Sequence, residues 1–276
     1  MLPPPRVMSA AETLRALVQR GDVRLPVMPS VMVRLLALLE DVDRADARSV
    51  AAIVRTEPAL AALTLRLANS IAYGGQRPVL ELHEAVGRIG LRQVGGLAST
   101  VALRGLFHSS HPQRAARLER MGQRSLVTAV FASIVPFGTV DAELAYLAGL
   151  LHDLGQPLVL KLLEAVEGKR IEPVPDAEVE ALIGTLHVEL GHRLLVSWRI
   201  PDVVCEAVRR HHDANVSDRD ALLVRLQAAD AFAEREPDQP SSWEHPALRR
   251  LALSDADAAR LTREVEDRVT LLRCFL

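Results

Sequence analysis

An all-α fold, a multi-helix bundle, is predicted by three observations. Aromatic residues make up only 3% of the chain although 49% of it is hydrophobic, and this Leu-, Ala- and Val-rich mixture favours aliphatic ridges packed between helices over strands rich in Tyr, Phe and Thr. Apolar residues recur near a 3.6-residue period in segment after segment. No convincing strand emerges, and no repeat with a period of roughly 20 to 50 residues.

The elements follow in order. Ser9 and Glu12 have the spacing of a capping box, so a leading helix carries Leu14, Leu17 and Val18 as far as the breaker Gly21-Asp22. Leu25-Pro26-Val27-Met28-Pro29 is predicted to be extended, because residues before proline avoid the α region. Ser30 is predicted to cap a helix with Val31, Leu35, Leu38 and Leu39. Asp46 caps another with Val50, Ile53 and Val54, and Pro58 suits the first turn of the next. That helix carries Leu60, Leu63, Leu67 and Ile71 and breaks at Gly74-Gly75. From Leu82 to Phe107 the period continues, interrupted around Gly90 and Gly95-Gly96, which reads as two helices. His108 to Pro112 is a connection, and Arg114 to Val135 is one long helix ended by Pro136-Phe137-Gly138. Asp141 starts a helix that runs through Leu151. Asp176 caps one with Ile183, Leu186, Leu190 and Leu194, stopped at Trp198 to Pro201, and Val203 to Arg210 and Leu222 to Phe232 supply two more. Terminal helices follow a loop at Pro237 to Ser242.

A length of 276 residues suits one large domain or two small ones. Net charge is -2 with the positive residues scattered, so neither a nucleic-acid partner nor an anionic membrane is expected. The N-terminus lacks the apolar stretch of a signal peptide, and no run of about 18 apolar residues occurs. A cytoplasmic protein is the expectation. Cys205 and Cys274 lie far apart without CxxC spacing, which argues against a structural disulfide and suits a reducing compartment. Cys205, on an apolar helix face, reads as a small core residue. Gly74-Gly75 and Gly95-Gly96 lack the preceding strand and the Lys-Ser/Thr sequel of a phosphate loop. No Gly-x-Ser-x-Gly elbow occurs either.

The chemistry is carried by separated His and Asp residues: His152-Asp153, His187, His211-His212 and Asp230. Any one histidine is more often a surface or hydrogen-bonded core residue than a ligand. The joint pattern is different. Imidazoles and carboxylates suit Fe, Mn, Ni or Zn, and an adjacent His-Asp pair places two donors near one ion, with the carboxylate able to bridge to a second. Helices facing a bundle interior can converge such side chains on one point.

Leu150-Leu151-His152-Asp153-Leu154-Gly155 resembles the signature of the HD superfamily of metal-dependent phosphohydrolases. The surrounding motifs resemble the HDOD family more narrowly: Leu25-Pro26-Val27-Met28-Pro29, Glu57-Pro58-Ala59-Leu60, Asn69-Ser70-Ile71-Ala72-Tyr73 and Trp198-Arg199-Ile200-Pro201 before Ala207-Val208-Arg209-Arg210-His211-His212. The resemblance covers residues 25 to 235. It implies an N-terminal helical half over 25–110 packed on an HD-like half over 111–236, and the residues themselves read as a leader helix over 1–24 before it and a helical extension over 237–276 after it. It also implies a regulatory role in bacterial signalling, with signalling proteins as partners.

By the same resemblance, one ion would be held by Asp153, His187, His211 and His212, and a second by His152, Asp153, Asp230 and an upstream histidine. The position of that histidine is Arg124 here, and a guanidinium cannot be deprotonated to ligate a metal. Arg124 could supply the missing ion's charge, grip a phosphate or nucleotide, or pair with Asp153 or Asp230 and seal an empty site. Related cyclic-dinucleotide phosphodiesterases carry a Lys where this chain has Gln156, and a Gly-Tyr-Pro loop where it reads Asp213-Ala214-Asn215-Val216-Ser217. The sequence therefore predicts a regulatory module with a degenerate site, weakly catalytic or inactive, holding one divalent metal or none. The alternative is a phosphohydrolase working with one ion.

Overall fold

The computed structural model describes residues 8–40, 45–74, 77–109, 111–168, 174–235 and 243–273, and among these the regular structure is helical throughout. Helix α1 (Ala10–Arg20) opens with the Ser9–Glu12 capping box and closes on Gly21 in the left-handed region at φ 76°. The extended segment that follows is pinned by the Trp198 indole, which donates to the Pro26 carbonyl at 2.8 Å. Helix α2 (Ser30–Glu40) includes Ser30 as its first residue; the sequence reading placed Ser30 outside, as the cap.

Helix α3 (Ala47–Val54) has Asp46 as its cap, and α4 (Pro58–Ala68) has Pro58 in its first turn. A 3-10 turn covers Ile71–Tyr73. Helices α5 (Leu82–Ile89) and α6 (Leu91–Leu103) are split at Gly90, whose φ of 104° no L side chain adopts without strain. Gly95 and Gly96 lie inside α6. Gly96 marks a close approach, since a Cβ there would stand 3.1 Å from Tyr146 Cδ1.

Helix α7 (Pro112–Ile134) packs along α8 (Ala142–Leu151) and α12 (Ala221–Glu234). A Cβ on Gly149 would come within 2.6 Å of the Ala129 Cα, so glycine there is what lets α8 press onto the α7 backbone. Helix α9 (Gly155–Glu167) is not anticipated by the sequence reading, which assigns no element between Leu151 and Asp176; its Pro157 sits in the first turn, where its missing N–H costs nothing. Helix α10 (Asp176–Ser197) starts at Asp176 itself, with Pro175 before it and no side-chain cap. This corrects the expectation that Asp176 caps it. Helix α11 (Asp202–Arg209) carries Cys205 buried, as its apolar face implies. Helices α13 (Pro246–Arg249) and α14 (Asp255–Leu272) complete the described chain. Gly75, the 237–242 loop and Cys274 fall outside the described residues.

Buried apolar side chains from α1 through α14 form one contiguous cluster. Helix α1 packs against α9 and α10, and α14 packs against α7. Among the described residues no helix is long and apolar enough to cross a membrane.

Gly149→Ala is expected to lower unfolding free energy by about 2 kcal/mol, the scale of overpacking a tight contact. Equilibrium urea denaturation measures this. An unchanged midpoint would contradict the α7–α8 approach.

Candidate metal centre

Six side chains from four places in the chain converge. His152 and Asp153 follow the last turn of α8, His187 projects from the middle of α10, His211 and His212 follow α11, and Asp230 sits on α12. Gly155 makes the convergence possible. A Cβ there would lie 1.7 Å from the His187 carbonyl oxygen and 2.8 Å from the His187 Cα, while Gly191 closes the same contact from α10. The Gly of the His-Asp-Leu-Gly motif is thus needed so that the start of α9 can rest on the backbone of a candidate ligand.

Backbone carbonyls orient the rings. Nδ1 of His152 lies 2.8 Å from the Gly149 oxygen, Nδ1 of His187 lies 2.8 Å from the Ile183 oxygen, and Nδ1 of His211 lies 2.6 Å from the Val208 oxygen. A carbonyl only accepts, so each Nδ1 carries a proton and each Nε2 is turned into the pocket. His187 Nε2 and His211 Nε2 then lie 3.7 and 3.4 Å from Asp153 Oδ1. His187 Nε2 is 2.9 Å from His212 Nε2. Donors bound to one ion at about 2.1 Å, in tetrahedral or octahedral angles, stand roughly 3 to 3.5 Å apart, which is close to these spacings.

A second observation fits a cation. Asp153 Oδ1 and His211 Nε2 are buried and make no hydrogen bond. Two lone-pair donors facing each other without a proton or an ion between them are costly to bury. Burial pushes the His187 and His212 imidazoles below their usual value, against the pull of Asp153, and this favours the neutral form that ligates. Asp153, His187, His211 and His212 therefore form a donor set that could hold a metal.

The other corner differs. His152 Nε2 lies 3.0 Å from Asp230 Oδ1 and 3.3 Å from Asp153 Oδ2. Burial alone would lower this imidazole, but the two carboxylates overcome it and hold it up at about 10. Arg124 reaches in from α7, and its Nη2 lies 2.7 Å from Asp230 Oδ1 and 2.7 Å from Glu234 Oε1. Burial would raise the Asp230 carboxyl, yet His152 and Arg124 keep it well below the usual range. The Arg124 Nη2 is committed to the Asp230 and Glu234 carboxylates, while its Nε is buried without a hydrogen-bond partner.

Glu234 escapes the sequence reading, and Gln156 is read there only as a lost lysine. Glu234 stands four residues after Asp230 on α12, one turn along the same face, and that spacing was the signal available. Gln156, which replaces the phosphate-reaching Lys, donates from Nε2 to Asp153 Oδ2 at 2.6 Å and so orients the shared carboxylate. A cleft of about 330 Å³ opens beside His211 and His212, flanked by Gln227, Glu234, His245 and Arg250.

An all-helical bundle with such a His/Asp cluster defines an HD-like protein. The HDOD domain family model matches residues 25–214, and the chain belongs to the HDOD family. It is 27% identical over 200 residues to an uncharacterised protein of Treponema pallidum, an alignment covering 68% of this chain and 38% of that protein. Over 120 residues it is 35% identical to ribonuclease Y of Thermus thermophilus, covering 42% of this chain and 17% of the enzyme. The chain thus spans well under half the length of these curated relatives. A provisionally named metal-dependent phosphohydrolase from Shewanella amazonensis has the same fold, with a TM-score of 0.76 at 23% identity and coverage of 97% of this chain and 99% of that one. An HDOD domain protein of unknown function from Geobacter sulfurreducens matches with a TM-score of 0.63 at 25% identity, covering 95% of each chain.

Gly155→Ala is expected to displace His187, whereas Gly191→Ala, whose Cβ would meet the Gly155 nitrogen at 3.2 Å, is milder. The imidazole Cε1–H resonances of the two variants distinguish the cases. An unmoved His187 signal in Gly155→Ala would contradict the contact.

Proposed function

We propose that this chain is an HDOD-type signalling module that acts through contacts with other signalling proteins and holds one divalent ion, Fe, Mn, Ni or Zn, on Asp153, His187, His211 and His212. The observation that carries the reading is Arg124, whose guanidinium lies 2.7 Å from Asp230 where the family resemblance expects an imidazole ligand. Two-ion phosphoester hydrolysis uses one ion to generate the nucleophile and the other to stabilise the leaving oxygen. Here the second position carries a guanidinium and the His152 imidazole between carboxylates, which supply positive charge but no Lewis acid.

A bound ion would polarise water in the remaining site. The protein's own groups orient the donors: Gln156 holds Asp153, and the Ile183 and Val208 carbonyls hold His187 and His211. With Gln156 turned inward, no lysine takes the phosphate-reaching position, and the stabilisation lost with an ion and a cation amounts to several factors of ten in rate. The site then serves best as a structural knot joining α8, α10 and the turn after α11.

A single-ion phosphodiesterase is the second reading, favoured by the complete four-donor set and by the similarity to ribonuclease Y, which makes an RNA phosphodiester one substrate to try. Protein loaded with Mn or Fe and given cyclic dinucleotides, (p)ppGpp or a short RNA is expected to show only background hydrolysis. Turnover near 1 per second or above, roughly the ordinary enzymatic range, that disappears in His211→Ala would replace the signalling reading with this one. Arg124→His is expected to raise whatever residual rate exists at least tenfold. A lower rate in that variant would mean that the guanidinium assists chemistry.

A further inference from the structure

Two of the four candidate ligands stand on a turn and not inside a helix. Helix α11 ends at Arg209, and His211 and His212 follow it. His211 is buried there, whereas His212, Asp213, Ala214 and Asn215 are exposed. An exposed turn is more mobile than the elements it joins, and an ion site needs every donor held in place before the ion arrives. His187, buried in the middle of α10, has that support from its own helix. His212 must find it elsewhere.

Gln227 supplies it from α12. Its Nε2 lies 3.1 Å from the His211 carbonyl oxygen and 2.8 Å from the Asp213 carbonyl oxygen, the two carbonyls on either side of His212. Both partners only accept, so the amide nitrogen must be the atom that faces them, with one N–H for each. Other contacts hold the chain near this turn without reaching those carbonyls. Arg210 bonds the Asp213 and Asp220 carboxylates at 2.9 and 3.3 Å, and Arg250 bonds the Val216 carbonyl at 2.8 Å. Gln227 also stands three residues before Asp230, on the same face of α12. One helix face therefore presents Asp230 to the Arg124 corner and grips the backbone of the ligand pair at the other.

We propose that Gln227 is a positioning residue that clamps the turn carrying His211 and His212, and so sets the affinity of the four-donor site and the placing of His212 within it. The effect on affinity rests on the one-ion reading above; the clamp itself is a property of the ion-free protein. Gln227 is the counterpart of Gln156, whose amide orients the shared Asp153 carboxylate. A glutamate could not replace it, because its carboxylate would set a third acceptor against two carbonyl oxygens.

Helix α12 carries its own control. Arg225, buried two residues earlier, makes the same kind of clamp on a different turn, with Nε 2.7 Å from the Phe137 carbonyl oxygen and Nη2 3.1 Å from that of Gly138. Removing it takes two hydrogen bonds from the same helix without touching the ligand turn.

The test compares the full wild-type chain with Gln227→Met, which keeps the reach of the side chain and removes its donors, and with Arg225→Met. Cobalt(II) is the probe ion, followed by titration calorimetry and by its visible absorption, which reports the donors around it. Gln227→Met is expected to bind cobalt roughly 10- to 100-fold more weakly, the scale for groups that hold metal ligands, and with altered absorption. Arg225→Met is expected to match the wild type in both. In the ion-free proteins the His212 Cε1–H resonance should move in Gln227→Met and stay in place in Arg225→Met. Wild-type affinity and absorption in Gln227→Met, an equal weakening in Arg225→Met, or an unmoved His212 resonance would each overturn the proposal. A wild type that takes up no cobalt would instead sink the one-ion reading and with it the effect on affinity, and the resonance then decides the clamp alone. Gln227→Glu, of the same shape, repeats the resonance comparison where Gln227→Met folds poorly, and His212 must move there as well.

Discussion

Asp153 is the carboxylate on which this structure turns. One of its oxygens faces His187 and His211 without a hydrogen bond, and the other takes Gln156 and lies beside His152. Such a group is stable inside a helical core only when positive charge is delivered to both sides. Helix carbonyls make one side's imidazoles present bare Nε2 atoms. Side chains that carry their own protons serve the other side. The asymmetry of the site is therefore an asymmetry in how a single buried carboxylate is neutralised.

That asymmetry decides between chemistries. Where the neutralising charge is an ion with open coordination positions, water can be activated; where it is a guanidinium clamped by Asp230 and Glu234, nothing can be exchanged. Arginine is the suitable replacement because it never loses its proton and bonds two carboxylates at once. A neutral residue at position 124 would leave Asp230 and Glu234, one turn apart on α12, without the cation they share. On the function proposed above, the arginine would keep the fold of a two-ion scaffold while withdrawing one of its ion positions, as a module selected for shape and contacts would.

Much of this was legible in the sequence. The His-Asp pair, the paired histidines after a Trp-Arg-Ile-Pro segment and the position of Arg124 led, through the resemblance to the HD and HDOD families, to the same six donors that the fold gathers. Helix α9 goes unassigned in the sequence reading, although Pro157 in its first turn is compatible with a helix start. Ser30 and Asp176 were read as caps, although each begins its helix behind a proline, which had already set the chain direction. Glu234 escaped because its partner lies on another helix.

The central claim is that only one side of Asp153 takes an ion. Anomalous difference maps, collected at the absorption edges of Fe, Mn, Ni and Zn from crystals of the protein purified without chelators, test it most directly. The account requires a single peak within coordinating distance of Asp153, His187, His211 and His212, and none between Asp230 and Arg124. Two peaks flanking Asp153, or a lone peak beside Asp230, would contradict it.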